Sequence, residues 1–175
     1  MADFDLVVRN GDIATENERF TADIGISDGR IAELGEGLGA GAEEIDATGL
    51  LVLPGGIDSH CHIEQMSAAG MWTADDWFTG TRSAACGGNT MVLPFACQYR
   101  GQSLRDVVNA YHELAGPKAV IDYAFHLIVS DPTEQVLGQE LPALIRDGYT
   151  SFKIFLTYDA LKLDDRQFLD VLAVA

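Results

Sequence analysis

The fold of this 175-residue chain is decided by residues 50–62, which are Leu-Leu-Val-Leu-Pro-Gly-Gly-Ile-Asp-Ser-His-Cys-His. The apolar run Leu50–Ile57 predicts a β-strand buried on both faces, which is the pattern of a parallel sheet. Polar residues follow at once, where the carboxyl end of such a strand would lie. In parallel α/β folds this end of the sheet carries the functional site. The segment therefore predicts both the sheet and the position of the site.

After this segment, apolar strands alternate with helix-length segments at intervals of about 30 residues, the size of a βαβ unit. Further strands are expected at residues 90–95, 119–129 and 150–157, with helices opening near Thr73, Ser103, Asp131 and Asp164. The pattern predicts a parallel α/β sheet, open or closed. A closed (β/α)₈ barrel needs about 250 residues and eight strands. We therefore expect the N-terminal part of a longer protein, with a short open-sheet protein as the alternative.

Residues 1–53 have a different character and predict a small antiparallel sheet. Its candidate strands are residues 4–9, 13–15, 20–26, 31–34 and 43–47. Asn10-Gly11 is typical of a two-residue hairpin turn. The Gly-rich residues 35–42 predict a mobile loop. The domain boundary is accordingly expected between residues 53 and 54, with barrel sequence in residues 54–175.

Composition excludes several classes of partner. The chain has 27 acidic and 11 basic residues, for a net charge of −16, which argues against nucleic acid as a partner. It has no apolar run long enough to span a membrane and no secretory signal at its start. The three cysteines, Cys61, Cys86 and Cys97, lack CxxC spacing. Reduced thiols in a cytoplasmic protein are expected.

The sharpest chemical feature is the pair His60 and His62 at the end of the first parallel strand. Residues i and i+2 of a strand point to the same side, so both imidazoles can face one metal ion while Cys61 points away. Neutral imidazole suits Zn²⁺, and also nickel, copper and iron. The alternative is a pair of ordinary histidines near a turn.

Lys153 lies in the middle of an apolar strand in a chain with three lysines. Burial of an ammonium is costly and favours the neutral amine, which can add CO₂ to form a carbamate. Such an anion could bridge two cations, as hydrolytic sites with two metals require. The alternative is a lysine that extends to solvent or pairs with a carboxylate.

Two further residues are candidates for the wall of the site. Tyr158 follows the strand of Lys153, where its phenol could donate a hydrogen bond to a developing oxyanion. Packing of its ring at the rim of the sheet is an equal alternative. His126 lies within an apolar strand and is expected as a core histidine or part of the site wall.

Four segments together resemble the dihydropyrimidinase and D-hydantoinase family of cyclic amidohydrolases. They are Leu53–His62, Phe95–Ser103, Tyr123–Val129, and Thr150–Phe155 followed by Tyr158. The resemblance covers nearly the whole chain in order and spacing. It implies an amidohydrolase-type (β/α)₈ TIM barrel, of which the first four βα units are present, and a small β-sandwich formed partly by the N-terminal strands.

The same resemblance implies a chemistry. Two divalent metal ions, usually zinc, are bridged by a carboxylated lysine and a hydroxide. His60 and His62 would bind one metal, Lys153 would become the carbamate bridge, and Tyr158 would stabilise the oxyanion. The reaction would be hydrolytic opening of a small cyclic amide or imide such as dihydrouracil or a 5-substituted hydantoin.

The resemblance also implies further His ligands and an Asp proton shuttle that this chain does not contain. We therefore expect the chain to be inactive alone, and the complete protein to be a homodimer or homotetramer. Allantoinase or another cyclic amidohydrolase is the alternative within the superfamily. A non-catalytic hydantoinase-like scaffold and a truncated product without independent function are the alternatives of other classes.

Overall fold

The computed structural model describes residues 2–67 and 70–175. The chain divides into two compact units, Met1–Pro54 and Gly55–Ala175. Among the described residues, no helix combines the length and the apolar character that crossing a membrane would need.

The first unit is a five-stranded mixed sheet. Its strands β1 to β5 are Phe4–Ala14, Arg19–Ser27, Arg30–Gly35, Gly41–Asp46 and Leu51–Val52. β1 pairs antiparallel with β2, and β2 pairs antiparallel with β3, whereas β4 and β5 run parallel to β1. The prediction of a purely antiparallel sheet is wrong, because the connection from β3 to β4 crosses β2 and β1 and places β4 on the far side of β1, in the same direction as β1.

The predicted hairpin turn at Asn10-Gly11 is also wrong. β1 continues through both residues, and its register with β2 shifts between Val8 and Gly11. Asn10 has a φ of 58°, and its N–H donates to the Asp23 carboxylate at 2.8 Å. The left-handed residue therefore forms a β-bulge, which bends the strand without ending it. The chain reverses instead at residues 15–18, where the N–H of Thr15 donates to the carbonyl of Glu18.

The Gly-rich segment between β3 and β4 is anchored by two charged side chains. Asp23 accepts the N–H of Leu38 at 3.2 Å. Arg9 donates to the carbonyl oxygens of Leu38 at 2.8 Å and Gly39 at 2.9 Å, and also forms ion pairs with Asp23 and Glu44. These bonds connect the Gly-rich segment to β1, which carries Arg9, and to β2, which carries Asp23.

The second unit alternates strands with helices. Its strands β6 to β10 are Gly56–Cys61, Asn89–Cys97, Asp122–Tyr123, His126–Ile128 and Phe152–Lys153. Its helices α1 to α4 are Trp77–Cys86, Leu104–Ala115, Leu141–Arg146 and Asp165–Val174, and a short π-helix, Val136–Glu140, precedes α3. The strand order is β10-β9-β7-β6, with β8 pairing beside β7, and every pairing is parallel. The predicted parallel α/β sheet is confirmed.

All four helices of this unit pack on one face of its sheet. The shared core contains Trp77 of α1, Val108 of α2, Leu144 of α3 and Val171 of α4, together with strand residues such as Leu127. The opposite face carries a separate cluster of Phe95, Cys97, Ile128 and Leu161. Helices on a single face are the arrangement of a (β/α) barrel, whereas a doubly wound sheet has helices on both faces. The second unit therefore has the architecture of part of a barrel.

The apolar run Leu50–Ile57 is not one buried strand. Leu51–Val52 forms β5 in the first unit, and β6 begins at Gly56 in the second. Pro54 lies between them and has no N–H for a sheet ladder. Ile57 is 60% exposed, because β6 is an edge strand of the sheet that the structure describes.

The helix starts follow the predicted capping residues in two cases. Ser103 caps α2 and Asp164 caps α4, as expected. For α1 the cap is Asp76, which forms a capping box with Thr79, and not Thr73. Near Pro142 the helical stretch changes from the π-helix Val136–Glu140 to α3, and this proline lies in the first turn of α3, where its missing N–H costs no hydrogen bond.

Candidate metal centre

The two predicted histidines lie at the carboxyl end of β6 on the open face of the parallel sheet. Their ring centroids are 5.7 Å apart, and both side chains are exposed. Cys61, between them, packs against the helix-side core, and burial raises the pKa of its thiol to about 11. Strand alternation therefore directs both imidazoles to one face and keeps the thiol protonated on the other.

The Phe95 ring, on β7, lies at the centre of this face. Its centroid is 4.7 Å from that of His60 and 5.1 Å from that of His62, which it stacks against. The Nζ atom of Lys153, on β10, lies 4.2 Å from the same centroid. Residues 60, 62 and 153 are thus far apart in the sequence but meet around one aromatic ring.

His62 is held in an orientation that suits a metal ligand. Its Nδ1 atom lies 2.6 Å from Oε1 of Gln65, a mostly buried side chain. An amide oxygen only accepts, so Nδ1 carries the proton and the lone pair of Nε2 is free. Metal-binding histidines are usually held in this way, with the second ring N–H donating to an oxygen.

Lys153 completes the set of donors on this face. Its Nζ atom also lies 4.9 Å from the centre of the Phe155 ring. Within residues 2–67 and 70–175, it forms no ion pair with a carboxylate. No group of three His, Cys, Asp or Glu side chains in these residues is arranged to hold a metal ion. The donors on this face are therefore one amine and two imidazoles, and imidazole is a ligand that suits zinc.

Tyr158 lies in the loop after β10 and is 62% exposed. Its ring centroid is 5.1 Å from that of Phe155, in an edge-to-face contact. Its side chain borders a pocket of about 300 Å³ that reaches His62. The other residues around this pocket are Gln65, Met66, Ser67, Thr73, Cys97, Tyr99, Ile128, Phe155 and Leu161. The two predicted site residues therefore face a common space.

Two residues of this face, Gln65 and Phe95, were not predicted as parts of the site. Gln65 and Phe95 carry no titratable group, so no motif of reactive residues could find them. His126 was expected as a core or wall histidine, and its ring centroid lies 4.9 Å from that of Phe95. The sequence indicates a place for His126 in the site only through its position as a histidine within an apolar strand.

Known proteins resemble this chain in both sequence and structure. No family model matches the chain. A D-hydantoinase from Rhizobium radiobacter is 44% identical over 161 residues, which are 92% of this chain and 35% of that relative. A solved D-hydantoinase structure superposes with a TM-score of 0.92 at 43% identity, over 97% of this chain and 37% of that one.

A dihydropyrimidinase structure from Brevibacillus agri gives a TM-score of 0.89 at 40% identity, over 95% of this chain and 36% of the other. The chain thus spans about a third of the length of the proteins that it matches. Nearly all of the chain takes part in each match, and sequence and structure agree. The chain belongs to the D-hydantoinase and dihydropyrimidinase family.

Proposed function

We propose that this chain forms part of a hydrolase that opens the rings of cyclic amides and imides, such as dihydrouracil or 5-substituted hydantoins. Water adds to a ring carbonyl, the adjacent C–N bond breaks, and an N-carbamoyl amino acid results. The observation that carries the proposal is the meeting of His60, His62 and Lys153 at Phe95. This arrangement occurs in a chain that matches D-hydantoinases over 92% of its length.

The donors on the open face support a site for two divalent cations, for which we propose zinc. When bound, such ions would polarise the ring carbonyl and activate a water molecule. His60 and His62 would hold one ion through free imidazole nitrogens. The Nζ atom of Lys153 would form a bond to the carbon of CO₂ and lose a proton. The resulting carbamate would supply oxygen ligands to the metal site.

Tyr158 would act on the substrate directly. Its phenol would donate a hydrogen bond to the carbonyl oxygen as that atom gains negative charge. The backbone of Tyr158 is held in a turn, because its carbonyl accepts the N–H groups of Leu161 at 2.9 Å and Lys162 at 2.7 Å. The pocket between Tyr158 and His62 has apolar walls, including Ile128 and Leu161, that suit the substituent of a small ring.

We further propose that the second unit contributes four of the eight strands of a (β/α)₈ barrel, with β8 and β9, which both pair with β7, as two parts of one strand. Its helices on one face of a parallel sheet support this arrangement. The first unit would form part of a β-sandwich. For the complete protein we propose a cytoplasmic homodimer or homotetramer.

The activity is tested by supplying the zinc-loaded complete protein with dihydrouracil and with a 5-substituted hydantoin. The N-carbamoyl product is measured by chromatography. His60→Ala and Lys153→Ala should each lower kcat/KM by at least about 10³, since each removes part of the catalytic site. Lys162→Ala is the matched control, because the side chain of Lys162 is partly exposed and pairs with the exposed Asp159. Turnover of allantoin alone, with neither of the two substrates consumed, would reject the proposed substrate class.

The carbamate is tested separately by ¹³C NMR in ¹³C-labelled bicarbonate. Lys153→Arg tests the assignment of a carbamate signal to Lys153, and Lys118→Arg and Lys162→Arg, the other two lysines of this chain, are the controls. The signal should require zinc and disappear in Lys153→Arg alone. Its absence from an active, metal-loaded enzyme would remove Lys153 from the mechanism.

A further inference from the structure

Both ring nitrogens of His126 are hydrogen bonded to other strands of the candidate site. Nε2 lies 2.8 Å from the carbonyl oxygen of Ser59, and Nδ1 lies 2.5 Å from Oγ of Ser151. A carbonyl oxygen only accepts, so Nε2 carries a proton and donates it to Ser59. Neither nitrogen is free to bind a metal. His126 is therefore part of the site without being one of its ligands.

The two partners of His126 belong to the segments that carry the proposed ligands. Ser59 immediately precedes His60 on β6, and Ser151 lies two residues before Lys153, immediately before β10 begins. These strands are not neighbours, because β7 and β9 lie between them. From β9, the ring of His126 reaches past β7, where it contacts Phe95. One side chain thus connects the histidine pair to the lysine.

Near Ser59 and His60, the sheet ladder holds the backbone of β6 only weakly. The pairing of β6 with β7 is irregular between Asp58 and Cys61, so the register does not include Ser59 or His60. β10 is only two residues long. The regular sheet ladder therefore gives little control over the distance between His60 and Lys153, whereas the bonds of His126 act on both segments.

We infer that His126 is a positioning residue, which sets the separation of the His60–His62 pair from Lys153 and so the geometry of the metal site. The inference rests on the proposed function in one respect, that these three residues hold the metal ions. The hydrogen bond between Nε2 of His126 and the carbonyl of Ser59 is the more important of the two for this role, since Ser59 is next to the proposed ligand His60.

The test uses the purified complete protein after removal of its metal. This protein is titrated with zinc in competition with a chromophoric chelator. His126→Leu should weaken zinc binding by roughly tenfold or more, the usual cost of removing a group that orients metal ligands. The visible spectrum of the cobalt(II)-substituted protein should change in the same variant, since it reports ligand geometry. A merely structural residue would leave this spectrum unchanged in the folded protein.

Two conservative variants separate the two bonds. The amide of His126→Gln can reach the position of Nε2 and donate to Ser59, so it should restore most of the zinc affinity and the cobalt spectrum. His126→Asn can reach only the position of Nδ1 and should resemble the leucine variant. This comparison decides the question even where His126→Leu fails to fold.

A matched control is His112→Leu. His112 also bonds through both ring nitrogens, to the hydroxyls of Tyr123 at 3.3 Å and Tyr149 at 2.5 Å, but on the helix side of the sheet. It should lose stability and keep its zinc affinity. Equal zinc affinity in folded His126→Leu and wild-type protein, or an equal loss in His112→Leu, would overturn the inference. Zinc binding with unchanged affinity and stoichiometry in His60→Ala would instead reject the metal site itself.

Discussion

The ammonium nitrogen of Lys153 lies 4.2 Å from the centre of the Phe95 ring, on the face of the sheet that also carries the paired histidines. A cation above an aromatic face is attracted to the ring electrons, and the ring excludes water from one side of the amine. Phe95 is itself 4% exposed and belongs to the small cluster on the open face. It thus provides an apolar base for the polar groups of the site.

Phe95→Leu should weaken zinc binding while the protein stays folded. Leucine keeps an apolar side chain but cannot stack against His62 or lie beneath Lys153. We expect a loss of stability of about 1 kcal/mol, as for other apolar exchanges of similar volume. Zinc titration and urea unfolding measure the two effects. Phe125→Leu, on the helix-side face, is the control and should lower stability without changing the zinc affinity. Equal zinc affinities in all three proteins would contradict this role of Phe95.

Gln98→Leu should destabilise the loops at the carboxyl ends of β7 and β9. The buried Gln98 amide accepts the N–H groups of Ser130 and Asp131, both at 3.1 Å, and donates to the carbonyl of Gln102 at 2.9 Å. Leucine leaves buried donors without partners, at about 1–3 kcal/mol for each. Urea unfolding measures the total, and faster amide exchange at residues 130 and 131 locates it. The exposed Gln139→Leu should change neither, and unchanged exchange in Gln98→Leu would refute the prediction.

Asp23→Asn should loosen the Gly-rich segment of the first unit. The pKa of Asp23 is held below its ordinary value, first by the N–H of Asn10 and also by Arg9 and the N–H of Leu38. Its contribution to stability is therefore present above the ordinary carboxyl pKa and is lost as the pH falls through the lowered one. Asp23→Asn should unfold at lower urea concentration at neutral pH and lose this part of the acid dependence. Asp28→Asn, in an exposed turn, is the control. Equal urea unfolding midpoints for the two variants would contradict the role of Asp23 in holding the Gly-rich segment.

His112 should make the second unit less stable in mild acid. Burial lowers the pKa of His112 below its ordinary value of 6.5. The unfolded chain therefore binds a proton before the folded one does as the pH falls. The stabilising contribution is complete above the ordinary pKa and is lost towards the lowered pKa. Urea midpoints measured from about pH 7.5 to about pH 5 should fall less steeply in His112→Gln. Parallel slopes in the two proteins would assign the acid sensitivity to other groups.

The alternation of apolar and polar residues predicted the second unit well, because its physical cause is local. A parallel strand with helices on one face buries successive residues in two different clusters, as Leu127 and Ile128 do. The same rule predicted that His60 and His62 would share a face. The N-caps Ser103 and Asp164 were predictable for a similar reason, since the cap bond spans only three residues.

The features that could not be predicted depend on distant partners. Asn10 has the local preference of a turn residue, but the carboxylate of Asp23 on the next strand accepts its N–H and converts the turn into a bulge. The parallel pairing of β4 with β1 likewise depends on a crossover that no local pattern encodes. Phe95 and Gln65 became visible as site residues only when the fold brought the histidines to them.

The alternation at residues 60–62 also predicts which mutations this segment can tolerate. A deletion or insertion of one residue between Asp58 and Cys61 would rotate the following side chains by half a strand period. The thiol of Cys61 would then be presented to solvent, and His62 would be directed into the apolar core beneath the helices. A single substitution beside the histidines leaves both imidazoles on the open face. A change of length instead places the thiol of Cys61 on that face and removes the imidazole of His62 from it. We therefore expect natural and laboratory variants of this segment to differ in sequence while keeping its length.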